Sequence, residues 1–155
     1  MYFTKVTTEA TLPTRGSSKS AGMDIYSAQD IEIKAGQTAK VHTDLKVNLP
    51  ENHYGQLLSR SGLALKMIVV EGGVIDEDYE GELKVLLRNQ KQPYNYLSKL
   101  FFNIISNFGI TYNYDTSYYV KKGDRIAQLV CIPYHVPKDD NTIERGENGF
   151  GSTGN

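Results

Sequence analysis

Apolar and polar residues alternate along part of this chain. Ala39, Val41, Leu45, Val47 and Leu49 fall on odd positions, while Lys40, His42, Asp44, Lys46 and Asn48 fall on even ones. A period of two puts the odd set on one side of an extended backbone, so the stretch predicts one strand with a buried face. Ile31-Glu32-Ile33 repeats the pattern in miniature, and Ala35-Gly36-Gln37 supplies a turn after it. Met67-Ile68-Val69-Val70 reads as a short buried strand, and Leu83-Lys84-Val85-Leu86-Leu87 as a strand returning from an acidic turn. Ile126 to Ile132 is a further β-rich run, closed by Pro133. Turn signals at short intervals predict a β-barrel or sandwich.

One segment has a different period. Leu97, Leu100, Phe101, Ile104, Ile105 and Phe108 form a stripe at helical spacing, with Lys99, Asn103, Ser106 and Asn107 away from it and Gly109 placed to end the helix. Such a helix is expected to pack on the domain or on a neighbouring subunit. Ile110 to Val120 then returns to strand-like, Tyr-rich sequence.

At 155 residues the chain is long enough for one domain with its own core, and 39% hydrophobic and 23% charged residues fit a folded globule. The net charge is −1, so no global field draws in nucleic acid or an acidic membrane, and no direct partner of either kind is expected. An anionic ligand must instead be held by a few placed cations. Cys131 is the single cysteine, which fits a reducing compartment. Met1-Tyr2-Phe3-Thr4-Lys5 lacks the apolar core of a secretion signal, and no apolar run reaches membrane-spanning length. A cytoplasmic or nuclear protein is expected.

The richest chemistry lies in Gly73-Val74-Ile75-Asp76-Glu77-Asp78-Tyr79-Glu80-Gly81. It reads as a tight β-hairpin with Asp76 and Asp78 on the same side. Crowded negative charge at a Gly-bounded turn suits water activation beside a polar ligand, and equally describes a solvated acidic turn. Arg60 in Ser59-Arg60-Ser61-Gly62, Arg125 in Gly123-Asp124-Arg125, and Arg145 before a Gly-rich tail each pair a guanidinium with small neighbours. Guanidinium forks, close-approaching backbone N–H groups and hydroxyls together can cradle a polyphosphate. The tail has the composition of a frayed end, but Phe150 within it could stack on a base. Asp24 offers a further carboxylate in Ala21-Gly22-Met23-Asp24. His42, His53 and His135 show no zinc spacing with Cys131, Ser59 and Ser61 have no evident triad partners, and no Walker or dinucleotide fingerprint is present.

In this order, five segments resemble the motifs of the homotrimeric dUTP pyrophosphatase family. They are Ala21-Gly22-Met23-Asp24-Ile25, Ser59-Arg60-Ser61-Gly62-Leu63-Ala64, residues 73–81, Lys122-Gly123-Asp124-Arg125-Ile126-Ala127-Gln128-Leu129, and residues 145–154. The resemblance implies an all-β fold, a distorted antiparallel barrel of jelly-roll type, assembled as a homotrimer with sites between subunits. It implies a β domain over 1–144 and a C-terminal arm over 145–155 that closes over a neighbouring site.

The implied reaction is hydrolysis of dUTP to dUMP and diphosphate with Mg²⁺, which limits uracil in DNA and supplies dUMP for thymidylate synthesis. Asp76 is implied as the group that activates water for attack on the α-phosphorus, and Asp24 as a Mg²⁺ holder through water. Arg60, Ser61 and Gly62 match α/β-phosphate positions, and Gln128 a position near phosphate and water. Arg145, Gly151, Ser152 and Thr153 belong to the γ-phosphate segment, and Phe150 matches the base-stacking aromatic. Backbone groups near Gly73, Val74, Ile75 and Lys84 are implied to read uracil, and Tyr79 to lie under deoxyribose. Mispairing cytosine there would cost roughly 1–3 kcal/mol per unpaired group. Arg125 has a second reading, as a structural partner of an acid such as Asp76 or Asp124.

Three departures stand out. Ser59 replaces the commoner Pro, which could loosen the strand before Arg60. Glu71 precedes Gly72-Gly73 where less charged residues are usual, so the pocket rim is expected to be more acidic. The span from Arg88 to Val120 is about two dozen residues longer than usual, with an insertion over about 93–117 that contains the helical stripe. A same-fold regulatory protein using that helix for a partner is the alternative function, and a dCTP deaminase a weaker one.

Overall fold

The computed structural model describes residues 1–92 and 116–135. Within them the strands are β1 Tyr2–Lys5, β2 Met23–Tyr26, β3 Ile31–Ile33, β4 Thr38–His42, β5 Leu45–Asn48, β6 His53–Leu58, β7 Ile68–Glu71, β8 Val74–Ile75, β9 Lys84–Asn89, β10 Tyr118–Val120 and β11 Arg125–Pro133. One helical turn, α1 Ser61–Ala64, joins β6 to β7. The strands form a four-stranded sheet in the order β2-β11-β6-β8, a three-stranded sheet β4-β9-β7, and the pairs β1-β5 and β10-β3. All of these pairings are antiparallel, as the all-β expectation requires. The predicted helix at 97–108 and the arm over 145–155 lie outside the described residues.

The inward faces of these sheets meet in one core. Ile25, Leu57 and Leu129 come from the four-stranded sheet, Val41, Ile68, Val85 and Leu87 from the three-stranded one, and Ile33, Val120, Val47 and Leu63 close the ends. Truncating one such Leu or Ile to Ala typically costs about 2–5 kcal/mol.

The single strand expected over 39–49 is two strands in different sheets. β4 pairs with β9, whereas β5 pairs with β1. The chain bends at Thr43-Asp44, and Asp44 has φ 55°. Burial still alternates through the bend, with Val41, Thr43, Leu45 and Val47 all buried. Both sheets cover the same core, so the period of two survives a change of partner.

Residues 73–81 need a similar correction, because they are not a two-stranded hairpin. β8 pairs with β6, and β9 pairs with β4 and β7. Asp76 and Asp78 therefore sit in a turn, closed by the Tyr79 N–H on the Asp76 carbonyl at 3.2 Å, and not on one face of a strand.

Two polar residues hold the connections between these elements. The fully buried Asn89 donates from Nδ2 to the carbonyls of Ile33 (2.9 Å) and Thr116 (2.8 Å), and its Oδ1 accepts the Lys91 N–H at 3.1 Å. One side chain thus ties together the chain entering the insertion and the chain leaving it. Glu82 pins the Thr43-Asp44 bend. Its carboxylate accepts the N–H groups of Thr43 (3.2 Å) and Asp44 (3.0 Å), meets His42 Nδ1 at 2.9 Å, and lies 3.5 Å from Lys84 Nζ. The Thr43 hydroxyl completes the joint by donating to the Leu83 carbonyl at 2.5 Å.

Burial pushes the Glu82 carboxyl up, but the Asp44 N–H, His42 and Lys84 outweigh it and hold the group below its ordinary value of 4.5. A depressed carboxylate contributes stability above its unfolded pKa, and that contribution is lost as pH falls through the folded value. Glu82→Gln should lower stability by about 2 kcal/mol at pH 7. In urea unfolding, the gap between variant and parent should close as pH drops below about 4.5. A gap that stays constant from neutral to strongly acidic pH would refute this role.

Candidate functional site

Strand register builds the first half of the site. Gln128 on β11 stands between Asp24 on β2 and Leu58 on β6, so these three form one row across the sheet. Gly22 lies close beneath it: a Cβ there would stand 3.1 Å from Gln128 Cβ. Arg60 follows Leu58 by two residues and turns back over the row. Its Nε donates to Asp24 Oδ1 at 3.0 Å, and its Nη1 donates to the Arg125 carbonyl at 3.1 Å.

A β-bulge brings in Arg125. The register shifts between Arg125 and Ala127, and both Ile126 and Ala127 are buried. Absorbing one extra inward residue flips Arg125 to the outer face beside Gln128. There its Nη1 meets Asp24 Oδ2 at 3.4 Å. The structural reading of Arg125 is therefore right in kind, with Asp24 as the acid instead of Asp76 or Asp124.

Asp24 is 6% exposed, and each of its oxygens holds one guanidinium. Its backbone is also bracketed by Thr14, whose carbonyl accepts the Asp24 N–H at 2.7 Å. Ser61 and Gly62, in the exposed turn of α1, stand next to this pair, and a Cβ at Gly62 would meet nothing within 4 Å. Space is open where a ligand would approach. The Ser59 departure does not leave the strand loose, because the Ser59 hydroxyl accepts the Val70 N–H at 2.8 Å. Glu71 is paired with Arg88 at 3.1 Å and accepts the Thr38 hydroxyl at 2.8 Å, so its charge is not unopposed.

The second half of the site lies at the other edge of the same sheet. Gly73 has φ +105°, and its carbonyl accepts the Leu57 N–H at 2.8 Å. A Cβ at Gly73 would stand 2.7 Å from the Leu57 carbonyl, so this approach demands glycine. Ile75 faces Gly55 and Val74 faces Gln56, which leaves the outer side of β8 as a sheet edge among the described residues. Tyr79 donates from its hydroxyl to the Glu82 carbonyl at 3.0 Å, with its ring over Gly81. Lys84 sits opposite His42 on β9.

Glu77, between Asp76 and Asp78, enters the sequence analysis only as part of the turn's crowded negative charge. The Glu77 carboxylate accepts the Asn52 N–H at 2.8 Å. Tyr134 packs edge-on against Tyr54, 6.1 Å between centroids. Its phenol is raised above 10 by desolvation and then by the charges of Glu77 and Asp78, with a hydrogen bond to Glu77 adding to the effect. The only sequence signal was the excess of acid in the turn.

The outermost strands of the two halves are not adjacent. β2 and β8 are separated by β11 and β6, three strand spacings, on the order of 14 Å. Asp24 lies on the β2 edge, Gln128 on β11, and Arg60, Ser61 and Gly62 just past the end of β6, whereas Gly73, Val74, Ile75, Asp76 and Tyr79 lie on or beside the opposite edge strand β8. Arg145, Phe150, Gly151, Ser152 and Thr153 lie outside the described residues.

Comparison with known proteins then decides the family. The dUTPase family pattern matches residues 8–98 and 108–154. The chain belongs to the dUTPase family. The deoxyuridine 5'-triphosphate nucleotidohydrolase of Rattus norvegicus is 43% identical over 161 residues, a match covering 99% of this chain and 67% of that protein. A variant dUTPase from phage phi11 of Staphylococcus aureus, solved to show coordination of a structural Mg(II) ion, superposes with a TM-score of 0.73 at 27% identity. That match covers 91% of this chain and 95% of the other. A variant dUTPase of Staphylococcus bacteriophage 80alpha with dUpNHpp gives 0.71 at 29% identity, covering 91% and 94%. Among the described residues of this dUTPase no helix is long and apolar enough to cross a membrane.

The fit of Mg²⁺ to these residues can be tested on Asp24. Among the described residues no group of three or more His, Cys, Asp or Glu could hold an ion. Asp24 spends one lone pair of each oxygen on a guanidinium and keeps acceptor capacity for water. This donor set fits an ion that keeps its waters and is brought by phosphates, not a protein cage.

Removing Asp24 strands two cations, one of them half-buried. Asp24→Ala should cost about 3–5 kcal/mol, whereas Arg125→Ala, at an exposed guanidinium, should cost about 1 kcal/mol or less. Urea unfolding of both variants checks the asymmetry, and equal losses would show that the carboxylate is not the hub.

Proposed function

We propose that this dUTPase hydrolyses dUTP to dUMP and diphosphate, with a water activated by Asp76 attacking the α-phosphorus. The observation that carries the reading is the partition of the motif residues into two clusters with complementary chemistry. One cluster presents guanidinium groups over a buried carboxylate, which suits a polyphosphate. The other presents an acidic turn beside an edge strand and an anchored tyrosine, which suits a base, its sugar and a polarised water.

Arg60 holds the α/β-phosphates with Ser61 and Gly62, and its bond to Asp24 fixes the orientation of the fork before substrate arrives. Gln128, in the same row as Asp24, reaches phosphate or water. Mg²⁺, when bound, neutralises phosphate charge, with Asp24 holding it through water. Backbone groups of Gly73, Val74, Ile75 and Lys84 read uracil, while the Gly73 carbonyl also accepts the Leu57 N–H and pins the edge strand. Tyr79 lies under deoxyribose, where a 2′-hydroxyl would clash.

The outer side of β8 is a sheet edge among the described residues, and a second copy of the chain can approach the acidic turn there. This supports a homotrimer in which one subunit supplies the acidic turn and another the arginine cluster. The third contributes the arm over 145–155, with Arg145, Gly151, Ser152 and Thr153 on the γ-phosphate and Phe150 on the base. The lone Cys131 agrees with action in the cytoplasm or nucleus.

Diphosphate release should be seen with dUTP and be far weaker with dCTP, dTTP or UTP. Asp76→Asn should lower kcat by about 100-fold or more while dUpNHpp still binds; a variant with parental turnover would remove Asp76 from its role. Truncation before Arg145 should leave the trimer intact on a sizing column and cripple catalysis. Parental turnover in the truncated protein would refute the contribution of the arm.

A further inference from the structure

We infer that Glu77 is a positioning residue that aims Asp76 by strapping the acidic turn to the sheet. The turn itself is closed by a backbone bond at 3.2 Å, from the Tyr79 N–H to the Asp76 carbonyl. β8, which leads into it, is two residues long and sits at the edge of its sheet. The aim of Asp76 therefore depends on what holds this turn against the sheet.

Glu77 supplies one such anchor. Its Oε2 accepts the N–H of Asn52 at 2.8 Å. Asn52 is itself fixed in the connection between β5 and β6, where it has φ 58°, and its carbonyl accepts the Tyr134 N–H at 2.9 Å. Tyr134 continues from the end of β11, and its ring packs edge-on against Tyr54 of β6. The residue next to Asp76 is thus bonded to a junction where β6 and β11 meet, the two central strands of the sheet. Those strands also carry Gln128 and lead to Arg60, so the strap ties the acidic turn to the scaffold that holds the arginine cluster. Side-chain aim matters at this point, since a misplacement of about 1 Å can cost about 100-fold in rate.

The inference rests on Asp76 as the catalytic base, and the test separates the two. In full-length protein, Glu77→Ala should lower kcat about 10- to 100-fold with KM and dUpNHpp affinity within about twofold of the parent. Glu77→Gln keeps an acceptor oxygen for Asn52 and should retain kcat within about threefold of the parent. Glu77→Asp keeps the charge but is one methylene short, so it should fall well below Glu77→Gln. This ordering stands even if the alanine variant does not fold. Parental kcat in the alanine variant, or an aspartate variant more active than the glutamine one, overturns the strap. Parental turnover in Asp76→Asn overturns the underlying assignment of the base instead.

Discussion

The buried carboxylate of Asp24 between two guanidinium groups is the interaction on which the arginine half of the site depends. Arg60 leaves the end of β6 and Arg125 enters at the start of β11, and neither strand by itself would aim both cations at one point. Desolvation makes Asp24 costly unless it is paired, and pairing it with two forks turns that cost into orientation. The bulge at Ile126-Ala127 belongs to the same solution. It spends one register step to place Arg125 on the face that Asp24 and Gln128 share. The arginine cluster is thus organised by the fold itself.

At the other edge the organisation relies on close backbone approach. Gly73 approaches the Leu57 carbonyl so closely that no side chain fits, and Tyr79 lies over the equally crowded Gly81. Acid groups there also serve structure. Glu77 and Glu82 are consumed as acceptors for backbone N–H groups of distant loops, at Asn52 and at Thr43 and Asp44. A turn that reads as an excess of negative charge is, in space, partly a set of structural hydrogen-bond acceptors.

The order and content of the motif segments were legible from the chain, as was the period-two burial of Val41, Leu45 and Val47. Strand partners were not. Asp76 and its glycines look like a local hairpin because turn chemistry is local, but the strands on either side pair with β6, β4 and β7, far away in sequence. The bend at Thr43-Asp44 was invisible for a related reason: alternation records which side faces the core, not which sheet supplies the neighbour. Glu82 acts on residues some forty positions earlier, and nothing near Gly81 announces that. Arg125 came closest to being read fully, its pairing foreseen and only the identity of the acid wrong.

Asn89 has a consequence for how this chain tolerates change. Its buried amide grips Lys91 on one side and Thr116 on the other, together with the Ile33 carbonyl of β3. The mouth of the long excursion between them is stapled shut at the core. Residues could be added to or trimmed from that excursion without the alteration reaching the barrel, since the two ends would still be held at a fixed spacing. In that sense the position is a socket, where evolution or an engineer can exchange one loop for another while the fold beneath keeps its shape.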